Sequence, residues 1–159
     1  MRMPPTPAFC CVACETMSGT EKNQMIYLDT SALVKLIRDE AESENLADWL
    51  DERAEMPWIT SALTEVELPR ALIRAGVLDG LPVVPSILAR FDVFEMDAVV
   101  RSTAAAYRDP MLRSLDAIHL ATAQVAATVG KLLAFVSYDR RLAEAAEMLS
   151  MPTATPGVI

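Results

Sequence analysis

MIYLDTSALVKL, residues 25–36, runs from a short apolar segment through an aspartate into an amphipathic one. Met25 to Leu28 suit a buried strand, since they are apolar and include a β-branched and an aromatic side chain. Asp29 follows at once, and Thr30 or Ser31 can cap a helix through Ile37. A carboxylate placed where a strand hands over to a helix asks for a reason beyond solubility.

The alternation repeats along the chain. Glu42 to Arg53 sets Leu46, Trp49 and Leu50 on one helical face. PWIT, residues 57–60, is a second short strand, and Ser61 to Ala75 is helical in pattern although Pro69 intrudes. A loop marked by Gly76, Gly80 and Pro82 leads to a helix near 86–91 and a strand near 93–96. Asp97 can cap a helix reaching Tyr107; Ser114 opens SLDAIHLATAQVAA, which Gly130 ends. LLAFVS, residues 132–137, is the strongest strand after the first, and Asp139 precedes the helix RRLAEAAEML. PTATPG near the end is read as a loop, with a last extended piece at Val158 and Ile159.

Strands alternating with helices predict a three-layer α/β/α sandwich around a mostly parallel central sheet. Ligand sites in such sheets lie beyond the carboxyl ends of the strands, at a topological switch point. Asp29 falls where such a site is expected.

Composition narrows the function. The chain has 159 residues, 52% of them hydrophobic, enough for one core. Residues 25–159 are expected to form that domain, behind an N-terminal extension, 1–24, for which Met17 and Met25 are alternative starts. No segment approaches the roughly 18 to 20 uninterrupted apolar residues of a membrane span, so a soluble protein is expected. A net charge of −8 disfavours a generic DNA-coating protein. It leaves room for a nuclease, because carboxylates around a divalent ion are themselves a catalytic device. Cys10, Cys11 and Cys14 form one C-x-x-C with no second pair or nearby His, which is neither a zinc site nor a disulfide framework and fits a reducing cytoplasm.

Four acids stand in equivalent places. Asp29 ends the first strand, Glu67 lies early in its helix, Asp116 lies in the first turn of the Ser114 helix and Asp139 follows the LLAFVS strand. Each has a simpler explanation as a helix cap or first-turn acid, Glu67 through a capping-box spacing from Thr64. A parallel sheet nevertheless brings all four to one edge, which capping alone does not require. Carboxylates about 5 Å apart repel by roughly 3 kcal/mol per pair at an effective dielectric near 20, and a divalent cation relieves that. Oxygen-only donors favour Mg²⁺ or Mn²⁺ over Zn²⁺.

LDTSALVKL, SALTEVELPRAL, SLDAIHLATA and FVSYDRRL, in that order and spacing, resemble the four acidic motifs of PIN-domain ribonucleases, and most closely the VapC toxins of bacterial type II toxin–antitoxin pairs. The resemblance covers Met25 to near the end of the chain. Glu67 matches the family acid better than Glu65, because Leu68 and Arg70 follow it as the motif requires. It implies a cytoplasmic endoribonuclease in which Asp29, Glu67, Asp116 and Asp139 are the catalytic and metal-binding acids for Mg²⁺ or Mn²⁺, with Asp29 and Asp116 central. Products would carry 5′-phosphates and 3′-hydroxyls. A cognate antitoxin covering a groove near residues 42–75 and a homodimer are the implied partners. Pro69 and the segment before Met25 depart from the family pattern.

Other residues are secondary to this reading. Thr30 and Ser137 can orient the carboxylates, and His119, three residues after Asp116, suits support or packing better than proton transfer. Arg113 and Arg70 are the leading RNA contacts, with Arg74, Arg140 and Arg141 also near the acids; Trp49 fits the apolar helix face. A haloacid-dehalogenase-like phosphatase also begins with a strand-end Asp but needs a second acid where Ser31 stands. A response-regulator receiver lacks its acid pair near 20–24, where Glu21 stands alone. A non-catalytic PIN-like module binding RNA or protein would be expected to lose acids that this chain keeps.

Overall fold

Along the first strand, β1 (Gln24–Leu28), Ile26 and Leu28 enter one hydrophobic cluster while Met25 and Tyr27 enter another. Successive side chains of a strand point to opposite faces, so β1 is covered on both sides, as its unbroken apolar run requires. The computed structural model describes residues 24–158. Its sheet is parallel throughout, in the order β3-β2-β1-β4-β5, with β2 at Trp58–Ser61, β3 at Asp92–Phe94, β4 at Lys131–Val136 and β5 at Thr153–Ala154.

One face carries α1 (Thr30–Lys35), α2 (Ser43–Asp51), α3 (Thr64–Ala75) and α4 (Val84–Leu88), whose Leu33, Leu46, Leu50, Leu68, Leu72 and Val84 meet Ile26 and Leu28. On the other face, Leu120, Ala123 and Ala126 of α6 (Ser114–Ala126) and Leu142 and Ala146 of α7 (Arg140–Met148) meet Met25, Tyr27 and Phe135. α5 (Ala98–Ala106) packs on α6. The result is the expected three-layer α/β/α sandwich. Each fully buried leucine contributes about 1.5–3 kcal/mol. No helix among the described residues is long and apolar enough to cross a membrane.

The strand order fixes where a site can form. From β1 the chain builds outward through β2 to β3, then returns past β1 to lay down β4 and β5. The order reverses between β1 and β4, and the crevice beyond their carboxyl ends is the switch point.

Several expectations are corrected. β1 starts at Gln24, one residue before the expected boundary, and the remainder of the 1–24 extension, with its cysteines, lies outside the described residues. Asp29, rather than Thr30 or Ser31, caps α1. The helix near 86–91 is shorter and earlier, and follows a 3₁₀ turn at Leu78–Val83. The last strand is Thr153–Ala154, inside the segment read as a loop; a two-residue strand built by pairing with Phe135 and Val136 has no apolar run to reveal it. α6 ends at Ala126, before Gly130. α3 continues through Pro69, and Gly76, at a φ of 73° that side chains rarely adopt, closes it.

Candidate active site

β1 ends at Leu28, and the next residue, Asp29, still donates its backbone N–H to Val136 of β4 at 3.1 Å. Its carboxylate is 3% exposed and bonded at both oxygens: Oδ1 accepts from Ser31 Oγ at 2.7 Å and from the Ala32 N–H at 3.1 Å, and Oδ2 accepts from Ser137 Oγ at 3.1 Å. Burial pushes this carboxyl above the ordinary aspartate range, against the charge of His119 and these hydrogen bonds. Asp29 is therefore both the cap of α1 and a fixed acid at the switch point. Ser31, unmarked as a site residue in the sequence, also accepts from the Tyr138 N–H at 2.7 Å and so ties the two strand ends together.

Asp139 repeats the arrangement after β4. It caps α7, with Oδ1 accepting from the Arg141 and Leu142 N–H groups at 2.9 and 3.3 Å, and its own N–H reaches Ser137 Oγ at 3.1 Å. Asp116 sits in the first turn of α6. Burial, then the charge of Asp139, raise its carboxyl above the ordinary range, while Arg113, His119 and Arg141 pull the other way. The nearness of the two acids is thus already felt electrostatically.

Glu67 comes from α3, on the opposite wall. The expected capping box is absent: Leu63 is the N-cap, and Thr64 Oγ1 bonds Thr60 at 2.9 Å instead. Glu67 Oε2 instead accepts from Thr30 Oγ1 at 2.5 Å and from His119 Nε2 at 2.8 Å. Burial works against its charge, yet these two hydrogen bonds hold it below the ordinary glutamate range. His119 itself is 2% exposed, with Nδ1 2.7 Å from the Tyr27 hydroxyl.

Asp29, Glu67, Asp116 and Asp139 all line one open cleft of about 800 Å³, together with Thr30, His119, Arg70, Arg74 and Arg113. Ser137 stands behind it, buried against Asp29. Among the described residues, Arg70, Arg74 and Arg113 form no ion pair, whereas Arg140 is paired with Glu144 and Arg141 reaches the Met111 carbonyl. Trp58 is buried in the core with Arg90 over its ring, and Trp49 is half-buried under Arg53.

The acids share the cleft without closing on one another. Among the described residues, no group of three Asp, Glu, His or Cys stands close enough to hold a metal ion unaided. The expectation of four carboxylates within a few ångströms is corrected accordingly: helix caps hold Asp29 and Asp139, and Thr30 with His119 holds Glu67. Each still keeps donor capacity. Among the described residues, nothing donates a hydrogen bond to Asp116, to Glu67 Oε1 or to Asp139 Oδ2. An oxygen-only set with spare lone pairs fits Mg²⁺ or Mn²⁺, which use one or two carboxylates and complete their shell with water and substrate phosphate.

Known proteins are similar to this chain over most of its length. The family model described as PIN domain matches residues 26–148. Ribonuclease VapC35 of Mycobacterium tuberculosis is 70% identical over 133 residues, covering 84% of this chain and 98% of that protein. Ribonuclease VapC47 of the same organism is 38% identical over 137 residues, covering 85% and 99%. Two solved structures share the fold: VapBC2 from Rickettsia felis bound to a promoter DNA fragment, with TM-score 0.65 and 12% identity over 83% of this chain and 98% of that one, and FitAcB from Neisseria gonorrhoeae, with TM-score 0.63 and 23% identity over 85% and 100%. With its acids at the sheet's switch point and this degree of identity, the chain belongs to the PIN-domain family, among the VapC ribonucleases.

Proposed function

We infer that the protein is the toxin of a type II toxin–antitoxin pair and acts in the cytoplasm as a Mg²⁺- or Mn²⁺-dependent endoribonuclease. The observation that carries this reading is the convergence of Asp29, Glu67, Asp116 and Asp139 on one cleft that Arg70, Arg74 and Arg113 also line. Residues 25–159 are its nuclease unit, and the family match at 26–148 lies within it.

Asp29 and Asp116 would hold the ion, and Glu67 and Asp139 would complete its environment directly or through waters. When bound, the ion supplies positive charge to a phosphate oxygen and lowers the pKa of a water. The chain's part is positional. Ser31, Ala32 and Ser137 fix the Asp29 carboxylate, and Thr30 and His119 fix Glu67. Arg113 and Arg70 hold the RNA backbone over these acids, offsetting the chain's negative charge locally. The water oxygen bonds to phosphorus as the bond to the 3′-oxygen breaks, leaving a 5′-phosphate and a 3′-hydroxyl.

The partners follow from the family. A cognate antitoxin covers the groove beside α3, where Val66 and Ile73 are exposed next to Arg70 and Arg74, and the toxin pairs as a homodimer.

The test compares antitoxin-free wild type with Asp29→Ala on total cellular RNA, with Mg²⁺ or Mn²⁺ and with EDTA. Discrete fragments with 5′-phosphates that require both the metal and Asp29 are expected. Identical behaviour of two folded proteins would overturn the reading.

A further inference from the structure

Tyr27 lies in the middle of β1, is fully buried, and does not reach the cleft. Its ring stacks on Phe135 with centroids 5.0 Å apart and planes 9° from parallel, packing that phenylalanine would supply equally well. The hydroxyl needs another explanation, because an unbonded hydroxyl in a core is costly. It is spent on His119 Nδ1, 2.7 Å away and 92 residues later in the chain.

The second nitrogen of that ring faces an acid. His119 Nε2 lies 2.8 Å from Glu67 Oε2. A carboxylate oxygen accepts, so Nε2 is the donor to Glu67, and the phenol grips the ring at its other nitrogen. The two contacts together set the rotation of the ring.

We propose that Tyr27 is a positioning residue for the nuclease site: its hydroxyl, bonded to Nδ1, holds the His119 ring with Nε2 on Glu67 and so keeps the Glu67 carboxylate in place at the cleft. This rests on the metal-dependent reading above and extends it to a residue that touches neither metal nor RNA. Partners of this kind, one step removed from a metal, typically change affinity or activity by about 10–100-fold when removed.

The single histidine of the chain makes its ring nitrogens directly readable. In full-length, antitoxin-free, metal-free protein carrying ¹⁵N-imidazole, the Nδ1 resonance is expected to shift between wild type and Tyr27→Phe. An Nδ1 resonance that is the same in both overturns the proposal whether or not metal binds. The second measurement is Mn²⁺ affinity by calorimetry for wild type, Tyr27→Phe, His119→Gln and the double variant, with thermal unfolding to confirm that each is folded. Glutamine offers a donor near the Nε2 position that needs no help from Tyr27.

Tyr27→Phe is expected to weaken Mn²⁺ binding about tenfold in the wild-type background and hardly at all in the His119→Gln background. Equal losses in both backgrounds, or a lower melting temperature with unchanged Mn²⁺ affinity, would make Tyr27 a packing residue and overturn the proposal. Wild type that binds no Mn²⁺, with the Nδ1 shift between wild type and Tyr27→Phe present, sinks the metal-dependent reading and the proposal with it. That outcome is distinguishable from loss of coupling alone.

Discussion

Ser31 Oγ accepts the backbone N–H of Tyr138 at 2.7 Å, across 107 residues of sequence, while donating to Asp29 at the same distance. One hydroxyl thus fastens the end of β1 to the turn after β4 and orients the acid between them. Ser31→Ala should leave the Tyr138 N–H without its partner and cost about 1–3 kcal/mol. An unchanged urea midpoint would remove this bridge from the account.

Asp29 caps α1 and is also the acid proposed for catalysis, and two substitutions separate these roles. Asparagine still accepts from the Ala32 N–H, whereas alanine forfeits about 0.5–2 kcal/mol of capping. Asp29→Asn is expected to be more stable than Asp29→Ala, with RNA cleavage lost in both. Retained cleavage in Asp29→Asn, measured on the same RNA, would mean that the carboxylate charge is dispensable.

Among the described residues Asp116 has no hydrogen bond to lose, and it is repelled by Asp139, so Asp116→Asn should fold at least as well as wild type while losing cleavage. Sites tuned for function commonly trade stability in this way. A large drop in denaturant midpoint would show that the side chain supports the fold instead.

The pH dependence follows from the same acids. Asp29 and Asp116 are raised from 3.8 in the folded state, so they bind protons more tightly there than when unfolded. Their contribution is fully present below 3.8 and is lost as pH rises through the raised folded values. Glu67 has the opposite sign: lowered from 4.5, it contributes above that value and loses it as pH falls through its folded pKa. In metal-free protein with EDTA, Asp116→Asn should gain stability relative to wild type as pH increases above 3.8. Parallel urea-unfolding profiles for the two proteins would contradict this.

Arg113 lines the cleft and forms no ion pair among the described residues, and Arg113→Gln should weaken single-stranded RNA binding by the inactive Asp29→Asn protein. Losing one phosphate contact should reduce the slope of log K against log salt by about 0.7. An unaltered slope would place Arg113 away from the RNA.

The sequence carried the strand-end acids plainly, because short apolar runs at 25–28 and 132–137 stop just before Asp29 and Asp139 and a parallel sheet aligns their ends. Asp116 and Glu67 were legible through their helix starts. What stayed hidden depends on contacts between distant segments. Ser31 and Tyr27 look like a cap and a core aromatic until Tyr138 and His119 are placed beside them. The capping-box spacing of Thr64 and Glu67 misled, since Thr30 and His119 compete for the same carboxylate more effectively. β5 is made by pairing, and its sequence has no strand signature.

The strand order also sets a schedule. β1 is made first but is completed by β4, the fourth strand made, and Asp29 meets Ser137 only after four-fifths of the polypeptide exists. A growing chain holds Asp29, Glu67 and Asp116 well before it holds a working cleft. An RNA-cutting protein is itself translated from RNA, by a machine built of RNA. This connectivity withholds Ser137 and Asp139 from the cleft until late in the translation of its own message.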